Sequence, residues 1–219
     1  MQTAIVIIIV SVVSLALFVI NPGLVLFALI LIFGILVYKR NEEIAYRVND
    51  TARDALHITN VDVGGVFKLT GVDTVNDYTP KVIGKHLYKE GDYYWYELEC
   101  DKGDGEKIWV DVDDDDQTVV SVVLKKMKLT DIPVTPAQLD KFDYDESGSL
   151  KYDGKTYRYM ESANAVFYRN SDDEKVEKLY YWDFRTGSSI ISIEKWGETY
   201  EVYLSQSMRP NQITVYSIK

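Results

Sequence analysis

Three observations predict a mainly β protein carried on an N-terminal membrane hairpin. Residues 4–38 hold no charged side chain and are interrupted once, at Asn21-Pro22-Gly23. Beyond residue 61, apolar and aromatic residues alternate with polar ones in short runs separated by Gly- and Asp-containing turns. These runs fall in two stretches, about 62–128 and 140–218, that share a rhythm of hairpin, long strand, aromatic strand, turn, strand and strand. The expected architecture is a transmembrane helical hairpin (1–40), a juxtamembrane helix or linker (41–60) and an antiparallel β-sandwich or barrel-like domain (61–219) built of two similar halves.

The first apolar stretch, Ala4–Ile20, just reaches the roughly 17 residues that a straight helix needs to span a bilayer core. The second, Leu24–Tyr38, is shorter and ends on an interfacial tyrosine. As one helix the whole run would be about 50 Å long at 1.5 Å per residue, too long for a single span without steep tilt. Pro22 lacks an N–H, Gly23 tolerates positive φ and Asn21 favours turns, so two short antiparallel spans are expected, with a single tilted span as the rival. A cleaved signal peptide fits less well, because Met1-Gln2-Thr3 has no basic side chain and a second apolar run follows. Lys39-Arg40, with Arg47 and Arg53 beyond, place the C-terminal part on the cytoplasmic face of the cell membrane by the positive-inside tendency.

About 180 of the 219 residues follow the apolar run, enough for one domain with a real core. Beyond Arg40 the chain carries 22 basic and 34 acidic residues, a net charge of −12. Such a surface repels phosphate backbones and argues against nucleic-acid binding. The lone cysteine, Cys100, excludes an intramolecular disulfide and agrees with a reducing compartment. Seventeen tyrosines in alternating patterns favour strands over helices.

Residues 41–56 read as a short helix, because Ile44, Val48, Ala52 and Leu56 recur every four residues. Strands are expected at Val66–Leu69, Lys81–Tyr88 and Tyr93–Glu99. The last pairs through Asp101–Gly105 with Lys107–Val112 as a hairpin, and Val119–Leu124 follows. Residues 130–136 read as an irregular bridge. In the second half, Leu150–Tyr152 and Lys155–Met160 flank an Asp153-Gly154 turn. Ala163–Tyr168, Lys178–Phe184, Ser189–Glu194, Glu198–Leu204 and Ile213–Ile218 complete the set.

The order of these motifs resembles the bacterial domain-of-unknown-function family 4178, which is β-rich and uncharacterised. The resemblance rests on Gly65-Val66-Phe67, Trp95-Tyr96-Glu97-Leu98-Glu99 and Gly105–Val110 in the first half. In the second half it rests on Asp153-Gly154-Lys155-Thr156-Tyr157, Trp182-Asp183-Phe184, Ser192-Ile193-Glu194 and Tyr200-Glu201-Val202-Tyr203. A second Tyr after Glu97 and a longer loop before Tyr181 are missing. The resemblance implies no catalytic residues. It implies companionship with membrane-stress and membrane-remodelling systems, hence a membrane-linked scaffold role.

Few constellations carry chemistry. Asp143, Asp145 and Ser147 place oxygen donors at alternate positions before Gly148, as a calcium loop opens, but Gly154 stands where its bidentate Glu belongs. A polar hairpin turn is the expected reading, and no metal or other cofactor is expected. Asp111–Asp116 reads as a strand end running into a solvated acidic loop, with a hard-cation site as the rival. His57 and His86 lack partners at ligand spacing, and Cys100 lies between carboxylates that raise its pKa. Glu97, Asp183, Glu194 and Glu201 recur at strand positions near aromatics. They read as outward-facing cross-strand partners, with acid–base chemistry on a sugar as the alternative. Trp95, Trp109, Trp182 and Trp196 are the candidate interaction residues, each otherwise a core anchor.

The expected function is a membrane-anchored, non-enzymatic interaction or scaffold module facing a membrane-associated protein partner with a basic surface. The alternative is a small-ligand binder or carboxylate-based enzyme with a cleft between the halves. It requires that Glu97, Asp183, Glu194 and Glu201 converge. A calcium-stabilised domain on the opposite face of the membrane is the third reading.

Overall fold

The computed structural model describes residues 35, 38, 39, 56–72, 77–103, 105–114 and 118–219. Apart from residues 35, 38 and 39, the expected membrane hairpin lies outside the described residues, as does all but the end of the juxtamembrane helix. Among the described residues no helix is long and apolar enough to cross a membrane. Ile58–Asn60 is a single 3-10 turn.

Eleven antiparallel strands follow: β1 (Val66–Leu69), β2 (Lys81–Glu90), β3 (Tyr93–Asp101), β4 (Lys107–Asp114), β5 (Thr118–Met127), β6 (Ser149–Tyr152), β7 (Lys155–Tyr168), β8 (Val176–Thr186), β9 (Ser189–Trp196), β10 (Thr199–Met208) and β11 (Ile213–Ser217). They run in the order β11-β1-β2-β3-β4-β5-β10-β9-β8-β7-β6, and a further pairing of β2 with β7 closes the sheet. The result is an eight-stranded barrel of β2–β5 and β7–β10, with β1, β11 and β6 outside it. Of the expected sandwich or barrel-like forms the structure is a barrel, closed, to which each half contributes four consecutive strands. The closing seam is short, pairing Leu87 with Tyr168, Tyr88 with Phe167 and Lys89 with Val166.

The apolar cores lie on the outer face of this barrel. One gathers Val82, Leu98, Cys100, Ile108, Val110, Val112, Val120 and Val122 beneath a cover of Ile58, Val61, Phe67, Leu69 and Val72. The other gathers Trp182, Phe184, Ile191, Ile193 and Val202 beneath Ile132, Val134, Leu139 and Leu150. Its cover includes a helix not foreseen in the sequence, α1 (Pro136–Asp145). Thr135 caps α1, accepting from the Gln138 N–H, while the Gln138 side chain accepts from the Thr135 N–H, with Pro136 in the first turn. The Asp143–Ser147 turn is thus a helix end: Asp143 and Asp145 close α1, and Glu146 takes the left-handed conformation beyond it.

Three β-bulges reset which face each strand presents inward. Register skips one residue at Ile83 of β2, Leu124 of β5 and Met160 of β7. Val82 therefore faces an outer core while His86 and Tyr88 face in, and Tyr157 faces out while Ala165 and Phe167 face in. The three bulged side chains are 43%, 43% and 54% exposed. Such bulges curve a sheet toward closure. The bulge at Met160 also joins Lys155–Met160 and Ala163–Tyr168 into the single strand β7.

Candidate functional site

Because the outer face of each strand is claimed by the two cores, alternation sends the other residues into the barrel. On β3 and β4 those are Trp95, Glu97 and Glu99, then Trp109, Asp111 and Asp113; on β8 and β9 they are Tyr181 and Asp183, then Ser192 and Glu194. Eight strands leave an interior just wide enough to be filled or to hold one small ligand. Here a cavity of about 200 Å³ remains inside.

Two unlike sets of side chains line the lumen. One is aromatic and apolar, formed by Tyr88, Ala165, Phe167, Leu179 and Tyr181 with Trp95 and Trp196 against them. Tyr88 and Trp95 stack with centroids 5.0 Å apart, and Tyr181 meets the Trp95 ring edge-on at 6.0 Å. The other is acidic. Glu97 and Asp111 are cross-strand partners, as are Asp183 and Ser192. In the strand order, β3 stands across the barrel from β9 and β4 from β8, so Glu97 faces Glu194 and Asp111 faces Asp183. Ser121 donates to Asp111 Oδ2 at 2.9 Å, and Trp196 Nε1 donates to Glu194 Oε2 at 2.9 Å. Asp183 Oδ1 is enclosed and has no hydrogen-bond partner among the described residues.

Enclosure raises the proton affinity of these carboxyls. Burial pushes Asp111 up to about 6. Asp183 rises to about 7 through burial, opposed by its Ser192 hydrogen bond and reinforced by the charges of Glu161 and Asp111. Glu194 rises to about 8 through burial, opposed by Trp196 and reinforced by Asp111 and Asp183. Glu97 is raised well above the carboxylate range by burial and then by Asp111 and Glu194. Although walled in by protein, these four side chains retain partial solvent contact, because they line the cavity rather than a packed core.

The two mouths differ in charge. At the β2–β3 turn, Asp113, Glu161 and Arg185 stand at the rim, and the Tyr181 hydroxyl donates to Glu90 at 2.6 Å. Burial and then Glu90 raise the Glu161 carboxyl, with Arg185 opposing. At the far mouth a recess of about 550 Å³ carries Lys107, Lys126 and Arg169. Each of these is held in an ion pair, with Glu99, Glu201 and Glu177 respectively. Glu201 is lowered: burial would raise it, but Lys126 and Tyr203 overcome that by hydrogen bonding.

Three of the four carboxylates singled out in the sequence thus converge in the lumen, and Glu201 stands at the far rim. They face inward, not outward, because the apolar side of each strand is the outer one. Of the tryptophans, Trp95 and Trp196 line the aromatic wall and Trp109 the far recess. Trp182 is buried in the outer core beside Tyr180 and Tyr200. Asp143 accepts from the Tyr180 hydroxyl at 2.7 Å and from Ser162, so it serves to dock α1. Among the described residues no three of His, Cys, Asp and Glu are placed to hold a metal ion. His86 lies inside near Glu99 at 3.5 Å, with Nδ1 accepting from the Asn170 N–H; burial lowers its pKa. Burial in the outer core, then Glu99 and Glu97, pushes the Cys100 thiol up to about 12. Asp111, read as the start of a solvated run, was missed. Its signal was the alternation of Trp109, Asp111 and Asp113 with Ile108, Val110 and Val112.

No curated protein and no solved structure matches the chain. A family profile does, over residues 74–210, which takes in nine of the eleven strands described, β2 to β10, each whole. By that match, the chain belongs to the family described as Domain of unknown function (DUF4178).

Proposed function

We propose that this protein is a membrane-tethered ligand-binding barrel whose site is the lumen. The observation that carries the reading is Asp183 Oδ1, an enclosed carboxylate oxygen without a partner among the described residues, in a cavity shared with three more raised carboxyls. A barrel selected for stability alone would fill this space with apolar side chains. Unpaired buried polar groups cost about 1–3 kcal/mol each, and a ligand that satisfies them recovers that cost. The uncharged run at residues 4–38 supports a tether at the cytoplasmic face of the cell membrane.

Binding suits the lumen better than turnover. Acid–base enzymes push the pKa values of two groups apart, whereas Glu97, Asp111, Asp183 and Glu194 are all pushed upward. Native mass spectrometry of the full chain, purified from cells in mild detergent, tests the reading. A small-molecule adduct is expected on the natural chain and not on Ser205→Trp, whose indole fills the lumen. An adduct that survives Ser205→Trp places the ligand elsewhere.

An interaction role is supported by a different observation. β6 and β11 are the open edges of the sheet, and β11 carries Tyr216 at 55% exposure. A membrane-associated partner with a basic surface complements the acidic domain. Photo-crosslinking from position 216 in intact cells is expected to capture one reproducible membrane protein, and failure to do so removes this role.

A further inference from the structure

Resting on the lumen reading, we infer that the ligand is a small organic cation, an alkylammonium or quaternary ammonium compound. Its charged end lies among Glu97, Asp111, Asp183 and Glu194, and its hydrocarbon body against Trp95, Tyr88 and Tyr181. Four carboxyls approach the middle of the barrel from opposite walls, and among the described residues no Lys, Arg or His side chain lines the about 200 Å³ cavity except Arg185 at its rim. A cation there stabilises the carboxylate forms that burial and mutual repulsion otherwise suppress, and a primary ammonium group offers three N–H donors to oxygens that include the unpartnered Asp183 Oδ1. An anion is repelled, and a neutral ligand leaves the carboxyls protonated.

The aromatic wall selects the same class. The Tyr88, Trp95 and Tyr181 rings line the same cavity as the four carboxyls. Cations over aromatic faces gain about 0.5–2 kcal/mol, most where water is excluded. Among the described residues no three acidic or imidazole groups come together closely enough for a metal ion, so the spacing favours a cation with a body. Size sets a limit: a cavity of about 200 Å³ inside an eight-stranded barrel suits one small ligand. Entry is through the β2–β3 mouth, where Glu90, Glu161 and Asp113 outnumber Arg185. The far mouth is rimmed by three ion pairs, and its cations offer an organic cation no attraction.

Isothermal titration of the full chain in mild detergent tests this with butylammonium, tetramethylammonium, 1-butanol, butyrate and calcium as chlorides, neutral compound or sodium salt. At least one of the two organic cations is expected to bind tenfold or more tighter than 1-butanol, with a blue shift of tryptophan emission. Butyrate is expected not to bind. Asp183→Asn is expected to weaken cation binding at least tenfold, and Glu194→Gln serves as the second variant should Asp183→Asn not fold. Butanol or butyrate binding as well as the cations overturns the charge assignment and leaves the lumen reading intact, as does calcium binding more tightly than either amine. No binding by any probe, while the Ser205→Trp-sensitive adduct persists, also overturns the cation class alone. No binding together with no adduct overturns both.

Discussion

Asp183, Glu194 and Asp111 bring three carboxyls into a space that favours their neutral forms, and this has a consequence for stability. An unfolded chain releases these protons near pH ~4, whereas the folded lumen keeps them to about 6 at Asp111, 7 at Asp183 and 8 at Glu194. Between those limits the folded state holds more protons, so stability declines as pH rises and the loss is complete above the folded values. Tm of the ligand-free full chain is therefore expected to fall from pH 5 to pH 8. Glu194→Gln should flatten that slope and stabilise the protein at the alkaline end by about 1–2 kcal/mol, because water in the lumen screens part of the effect. A Tm that is flat or rising across that range contradicts the assignment. The carboxylates at 97, 183 and 194 were visible in the sequence as acids beside aromatics on strands. Their direction was not, since alternation tells which residues share a face and leaves open which face turns inward. Asp111 was hidden for the same reason, at the head of the acidic run Asp111–Asp116.

At the level of elements, strand positions were legible almost throughout, because each has an apolar face with period two and a turn at its end. α1 was not. Its single fully buried residue, Leu139, makes no periodic stripe, and only the Thr135-Pro136-Ala137-Gln138 cap announces it. Thr135→Ala is expected to cost about 1 kcal/mol in urea unfolding. The end of α1 is held more firmly: Phe142 packs edge-on against Phe184 at 5.6 Å, and Gly148 lies under the Phe142 ring. A Cβ at 148 would meet that ring at 2.1 Å, and Gly148 has a φ of +148°. Gly148→Ala should therefore cost about 2–3 kcal/mol by displacing Phe142, and a loss under 0.5 kcal/mol would mean that α1 is not docked in this way. Bulges at Ile83, Leu124 and Met160 were equally illegible. One extra residue changes no composition, and its exposed apolar side chain looks like an ordinary strand position.

Over the whole molecule, closure hangs on the β2–β7 seam, and Phe167 is its inner anchor, touching Tyr88, His86 and Trp196. Phe167→Ala is expected to cost about 3–4 kcal/mol in chemical denaturation and to weaken retention of any lumen ligand. A change below 1 kcal/mol would show that the seam is dispensable. The tether is tested by carbonate extraction: the full chain should stay with membranes, and a chain beginning at residue 55, where the second compact unit starts, should be released in folded form. Hydropathy, charge and period-two patterning determined by themselves that the chain has an uncharged run at residues 4–38, an acidic β-rich remainder and strands at nearly the places where they stand, two of twelve expected segments being one strand, because those properties are local and add along the chain. Tertiary structure alone decided that β2 meets β7, that both apolar cores lie outside the barrel, and that acids far apart in sequence share one cavity. Closure is a long-range choice, settled by bulges and by the segments that cover the outer faces, and no local window of residues contains it.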